Sequence, residues 1–258
     1  MTAEAIESRK LDIARVIEET FRLLGGNFVT YFVLSLLLYG LPNGIVAYLQ
    51  LGRLTSGDYQ GVLAASGYIW LLALITNAIL QGAILYSVVQ QLNGSPVSIG
   101  SALANGLRAF LPIIGATILL VLAIAFGLVV LIVPGLMIAT AWIVVIPSLV
   151  AERTGVFGAF SRSADLTRGN RWRIFALLAL WAIVAWVLNA VVTGIFTSGL
   201  TAAADAFAMV SNPLLLIVST LLGVLLSVVA TMGLAVLYVE LRKIRDGAAP
   251  QWLAEIFS

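Results

Sequence analysis

The sequence predicts an all-α integral membrane protein: a polytopic bundle of six transmembrane helices, with three cytoplasmic amphipathic helices lying at the interface. Three observations carry this. Of 258 residues, 61% are hydrophobic and 10% charged, against about 25% charged in an average soluble domain, so a soluble chain of this composition has too few polar groups to cover its surface. The apolar residues fall in long runs that contain no charge at all. The basic residues between those runs segregate to one side of any model in which the runs cross a bilayer. Segments of a β-barrel alternate in polarity over about 10 residues; these runs are continuously apolar, which leaves helices. Residues 1–258 read as a single integral membrane domain.

A helix crosses about 30 Å of hydrocarbon with roughly 20 apolar residues. No charge falls between Arg22 and Arg53, giving a first span over residues 28–49, with Pro42 and Asn43 as the expected site of a kink. The second runs over 62–89 and is long enough to tilt or protrude. From Arg108 to Glu152 there is again no charge. As one helix that stretch would be about 65 Å long, twice the hydrocarbon core, so it must fold back. Pro134-Gly135 is the strong breaker near its middle and predicts a turn between spans at 112–133 and 136–150. The fifth span is expected at 174–197 and the sixth at 213–239, separated by Asp205.

With these spans, thirteen of the fourteen basic residues share one side and Arg53 alone lies on the other, beside the acidic Asp58 and Asp205. Lys and Arg near span ends accumulate on the cytoplasmic side, so both termini are expected in the cytoplasm of a bacterial inner membrane. The first 22 residues carry Glu4, Glu7, Arg9, Lys10, Asp12, Arg15, Glu18, Glu19 and Arg22. That pattern lacks the basic stretch, short apolar run and small-residue site of a secretory signal.

Each odd-numbered span follows a stretch with helical apolar periodicity. In residues 11–24, Ile13, Val16, Ile17, Phe21 and Leu24 share one face. In 97–111 the apolar side is Ile99, Leu103, Leu107, Phe110 and Leu111. In 156–168, Phe157, Phe160 and Ala164 are expected inward and Ser161, Arg162, Asp165 and Arg168 outward. The order of elements suggests a threefold repeat of interfacial helix plus hairpin, in units of about 8–92, 93–151 and 152–245, with a short tail at 246–258.

No cysteine and no histidine occurs, which removes thiol chemistry and the usual neutral-pH acid–base residue. No charged residue falls in the middle of a span, where such groups mark ion paths and proton relays. The reading is therefore of a non-enzyme that calls for no cofactor or metal. Two sets of residues stand out. Arg162, Arg168, Arg171, Trp172 and Arg173 form a basic, aromatic-bearing cluster suited to anionic lipid headgroups or to a membrane or cytoplasmic protein partner; nothing points to nucleic acid. Asn77, Gln81 and Asn189 are amides inside the spans, placed either for interhelical hydrogen bonds or, alternatively, along a polar path of a small transporter or lipid-translocating protein. Gly115, Gly127, Gly194, Gly223 and Gly233 are expected at close helix contacts.

Three segments resemble a known family: Val133-Pro134-Gly135-Leu136; Val150-Ala151-Glu152-Arg153; and the run from Ala159-Phe160-Ser161-Arg162-Ser163-Ala164-Asp165-Leu166-Thr167 to Arg168-Gly169-Asn170-Arg171-Trp172-Arg173. Tyr238-Val239-Glu240-Leu241-Arg242 is similar to that family's last span end. The family is the bacterial membrane domain fused to some glycerophosphodiester phosphodiesterases, together with its stand-alone six-helix relatives of unknown function. The resemblance implies a six-helix inner-membrane protein with a cytoplasmic helix. It does not imply phosphodiesterase activity, which belongs to a fused soluble barrel using His, Glu and Asp around a metal. The expected role is a membrane-embedded scaffold or accessory module acting through its basic cytoplasmic face.

Overall fold

The computed structural model describes residues 10–92, 94–197 and 212–247; Asp205 lies outside them. The described chain is helical, with no strand among the described residues. A half-exposed helix α1 (Ile13–Gly26) precedes the first span, which consists of α2 (Phe28–Ser35), a π-helical turn at Leu36–Gly40 and α3 (Leu41–Thr55). The second span is α4 (Tyr59–Leu92) and the third α5 (Ile99–Val130). The fourth is built from α6 (Ile132–Ala141) and α7 (Val145–Glu152). A short α8 (Gly155–Leu166) leads to the fifth span, α9 (Arg171–Thr197), and the sixth is α10 (Pro213–Asp246). Six helical stretches are thus long and apolar enough to cross a membrane.

The breaks have local causes. Pro42 has no N–H to offer Leu38 and its ring crowds that carbonyl. The helix answers with a π turn, in which the Leu41 N–H reaches back five residues to the Leu36 carbonyl. The expected turn at Pro134-Gly135 is not there. The chain instead reverses at Leu131, which is extended at φ −161° and ψ 145°, and Pro134 and Gly135 lie inside the first turn of α6. Proline is tolerated in a first helical turn, where N–H groups lack partners anyway. The glycine serves packing: a Cβ on Gly127 would lie 2.9 Å from the Gly135 Cα, so the two arms of the hairpin meet through bare backbone. Pro112 also fails to end a helix. It sits inside α5, so the stretch expected as a separate second amphipathic helix is continuous with the third span.

At the middle of the fourth span the helix breaks again. The Val145 N–H donates to the Trp142 carbonyl, at 3.2 Å, rather than to Ala141. Two residues on, Pro147 has no N–H to give Ile143. The Ala141 carbonyl is left free for side chains, a point that matters below.

Half of the fourth span's most apolar window is buried, against 6% for the fifth, so the short span is central and α9 peripheral. Along α9, Ile183, Trp186, Val191 and Ile195 are exposed, a surface that favours an apolar surrounding over water. The main core lies toward one end of the bundle. There Leu80, Ile84 and Val88 of α4 and Met232, Val236 and Leu241 of α10 pack with Val16 and Leu23 of α1 and with Tyr31. At the other end Tyr48, Tyr59, Tyr68 and Trp70 are exposed, the aromatic pattern of a membrane–water boundary. The second and third spans cross at glycines. A Cβ on Gly106 would lie 2.4 Å from the Ile79 carbonyl oxygen. Gly127 and Gly223 do mark close approaches, Gly223 against the Tyr39 ring, whereas Gly194 faces open space.

Candidate functional site

Basic and acidic residues from distant parts of the chain converge at the core end. Glu152 closes the fourth span, and both its oxygens accept from the Arg162 Nε at 2.9 Å. The Tyr238 hydroxyl donates to Glu152 at 2.8 Å and accepts from Arg242 Nη1 at 3.1 Å. Arg162 also donates to both oxygens of Asp246, and Arg242 Nε lies 3.5 Å from the same carboxylate. Arg245 pairs with Asp165. Three arginines thus face three carboxylates and the network is electrically balanced. Burial works against the charge on Arg162, but the hydrogen bonds from Asp246 and Glu152 more than offset it and raise its pKa. The Arg245 hydrogen bond holds the Asp165 carboxyl below the usual range.

The same short helix is fastened on its other side. The Ser163 hydroxyl donates to the Ala141 carbonyl at 3.0 Å and satisfies the acceptor freed by the break in the fourth span. The Thr167 hydroxyl lies 3.1 Å from the same carbonyl and shares its one proton between it and the Ser163 carbonyl at 2.9 Å. Gly169 adopts φ +89°, a left-handed turn natural to glycine, which starts α9. The next residue, Asn170, accepts from the Leu11 N–H at 2.8 Å. Arg173 donates to the Leu11 carbonyl at 2.6 Å. On the opposite flank the Tyr31 hydroxyl donates to Gln91, whose amide donates to the Leu23 carbonyl. Arg15 of α1 reaches Glu240 at 3.8 Å. The ends of α1, α4, α7, α8 and α10 and the start of α9 therefore form one clamped surface.

The residues singled out from sequence divide sharply on this surface. Arg162 and Arg173 belong to clamps. Arg168 is exposed with no ion pair among the described residues, and Arg171 has its Nε buried without a hydrogen-bond partner. Trp172 is 84% exposed, edge-on to Phe175 at 6.0 Å. The buried face of α8 is Ala159, Ser163 and Leu166. Phe157, expected inward, is 82% exposed, while Phe160 does pack, edge-on against Trp142. On α1, Phe21 is likewise exposed, and Val16, Thr20, Leu23 and Leu24 form the buried side. Asn77 and Gln81 are half-buried on α4. Asn189 is exposed on α9, and its amide donates to Ala185 of its own helix at 2.8 Å, so no hydrogen bond joins it to the other two amides.

A cavity of about 420 Å³ opens between α4, α5 and the α7–α8 corner, with Tyr86, Asn105, Arg108, Pro112, Leu149 and Arg153 among its lining. Sequence reading passed over it because its two arginines lie 45 residues apart and only the hairpin of the third and fourth spans brings them together. Among the described residues no group of three or more His, Cys, Asp or Glu side chains is placed to hold a metal.

Residues 116–241 match a protein family described as a domain of unknown function (DUF7847). No curated protein and no solved structure matches the chain. The matched region contains the reversal at Leu131, Pro134-Gly135, Glu152, all of α8 and Tyr238, and its description carries no connection to the membrane domains of glycerophosphodiester phosphodiesterases.

Proposed function

We propose that this chain is a non-enzymatic module of the bacterial inner membrane, with its clamped end in the cytoplasm, that holds anionic lipid headgroups on that face. One observation carries the reading. When the ion pairs are removed from account, the charge left on this end is a positive excess, with Asp12 and Glu18 of the α1 segment as the acids outside any ion pair among the described residues. Lys10, Arg108, Arg153, Arg168 and Arg171 have no carboxylate within ion-pairing distance among the described residues, whereas Glu152, Asp165, Glu240 and Asp246 are all engaged. Each unpaired basic side chain near an anionic leaflet contributes about 1 kcal/mol of attraction. The exposed rings of Phe21, Phe157 and Trp172, on or beside short helices at the same end, suit insertion at headgroup depth. They support reading α1 and α8 as interfacial amphipathic helices. The alternative of a polar transport path along Asn77, Gln81 and Asn189 has less support, because Asn189 lies on the outer face of α9.

The test is the lipid that the protein retains through detergent purification, weighed by native mass spectrometry. Wild type is expected to carry more phosphatidylglycerol than phosphatidylethanolamine relative to the source membrane. Arg168→Gln with Arg171→Gln is expected to lose part of that enrichment. A wild-type lipid complement identical to the bulk membrane overturns the proposal.

A further inference from the structure

We propose that the cavity between α4, α5 and the α7–α8 corner is a defined site for the phosphate of one anionic phospholipid, gripped by Arg108 and Arg153. This rests on the reading that the clamped end faces anionic headgroups, and it adds a specific pocket distinct from the Arg168–Trp172 surface.

Charge is the first support. Arg108 and Arg153 both line the cavity and no acidic residue does, and the nearest acid in sequence, Glu152, is occupied by Arg162 and Tyr238. Two forked cations without an acid between them match a phosphate, which accepts paired N–H donors. Tyr86 and Asn105 also line it, their polar groups held within their own helices by Gln90 and by the Ser101 carbonyl.

The second support is depth. Arg108 and Arg153 flank the uncharged run that forms the third and fourth spans. They therefore stand where hydrocarbon gives way to headgroups, and the rest of the lining (Ala109, Pro112, Leu149 and Val150) is apolar. From Leu111 the outer side of α5 continues through the exposed Ile118, Leu119 and Leu122. Acyl chains leaving the cavity would lie along that surface without meeting a polar group. A free inorganic anion has no use for it, so the occupant is an amphiphile. The volume falls in the range of about 300–1,000 Å³ typical of small-ligand sites.

The backbone at Arg153 has a local cause. Arg153 is left-handed at φ +51°, the one non-glycine residue with positive φ among those described, because it caps the end of α7, its N–H donating to the Leu149 carbonyl. Glycine would take that position without strain.

That conformation also provides the test. The purified full-length protein in a zwitterionic detergent is titrated with dioctanoyl phosphatidylglycerol, dioctanoyl phosphatidylcholine or inorganic phosphate, with the thermal midpoint as readout. Phosphatidylglycerol is expected to raise the midpoint saturably, and the other two probes to have little effect. Arg108→Gln and Arg153→Gly should each weaken apparent affinity about tenfold or more. Arg153→Gly should do so with an unliganded midpoint equal to or above wild type, because strain is relieved, which separates lost binding from lost folding. Equal stabilisation by inorganic phosphate would overturn the lipid assignment. Wild-type affinity in both pocket variants, with weakened affinity in Arg168→Gln, would overturn this site while leaving the broader surface standing. Unchanged affinity in all three variants would overturn both.

Discussion

At the scale of single residues, the carbonyl of Ala141 shows how a break in a membrane helix is made tolerable. A backbone acceptor at bilayer depth without a donor is costly, and here the Ser163 hydroxyl meets it, with the Thr167 hydroxyl, its proton shared, beside it. Each covers for the other. Ser163→Ala or Thr167→Ala alone is expected to cost under about 1 kcal/mol, since one donor remains. The double variant leaves the acceptor bare and is expected to cost about 1–3 kcal/mol, more than the sum of the singles. Chemical unfolding in mixed micelles followed by circular dichroism checks this, and strict additivity would show that the second hydroxyl is idle. Asp165 supplies a pH signature. Its folded-state pKa is lowered by Arg245, so the unfolded chain binds that proton more tightly. The stabilisation is present in full above the unfolded aspartate value of about 3.9 and is lost as pH falls through the folded one. The thermal midpoint should therefore decline on acidification below about pH 4, and Asp165→Asn should flatten part of that decline; an unchanged slope would show that the pair contributes nothing. Sequence alone marked Arg162 and Arg173 as notable and assigned them outward, to a ligand. Glu152 is ten residues from Arg162, but Asp246 and the Leu11 backbone lie 84 and 162 residues from their arginines, beyond any local pattern.

At the scale of elements, all six spans were legible because a charge-free run of sufficient length has few alternatives in a bilayer. The breaks were not equally legible. Pro-Gly ordinarily signals a turn, yet Pro134-Gly135 lies within a first helical turn, where proline costs nothing, and the reversal falls at Leu131, a residue with no turn signature. Pro112 was passed through rather than obeyed. The inward face of α8 was misjudged where an aromatic was counted as core: Phe157 is exposed, because in a membrane protein a ring at the interface is as well placed as one in the core. The glycine crossing of α4 and α5 yields a sharp expectation. A methyl at Gly106 would collide with the Ile79 carbonyl, whose backbone cannot rotate away, whereas one at Gly115 meets only Val156 at 4.0 Å. Gly106→Ala is thus expected to destabilise by about 1–3 kcal/mol. Gly115→Ala should be neutral or slightly stabilising, since alanine favours helix. Similar thermal midpoints for the two variants would mean that the spans do not cross where the structure puts them.

At the scale of the whole molecule, the clamps and the charge distribution point to the same arrangement by separate routes. Hydrogen bonds and ion pairs join Leu11 to Asn170, Leu23 to Gln91, Arg15 to Glu240 and Arg162 to Asp246, so the ends of five helices share one surface whatever surrounds them. Arg53, near the end of α3 and bonded to the Gly61 carbonyl in the first turn of α4, is left on the far side. Placing that far side in the periplasm adds the positive-inside rule to this geometry, and labelling decides it. The native chain has no cysteine, and Ser56 and Thr154 are both exposed, so a cysteine at either position is a clean probe. In intact cells with the outer membrane permeabilised, a membrane-impermeant maleimide is expected to label Ser56→Cys and to spare Thr154→Cys until the inner membrane is opened. The reverse pattern would invert the orientation and place the cavity, its arginines and the exposed aromatics against the outer leaflet. Labelling of both positions from one side would break the hairpin arrangement itself, because Arg108 and Arg153 meet only if the chain between them crosses the bilayer and returns.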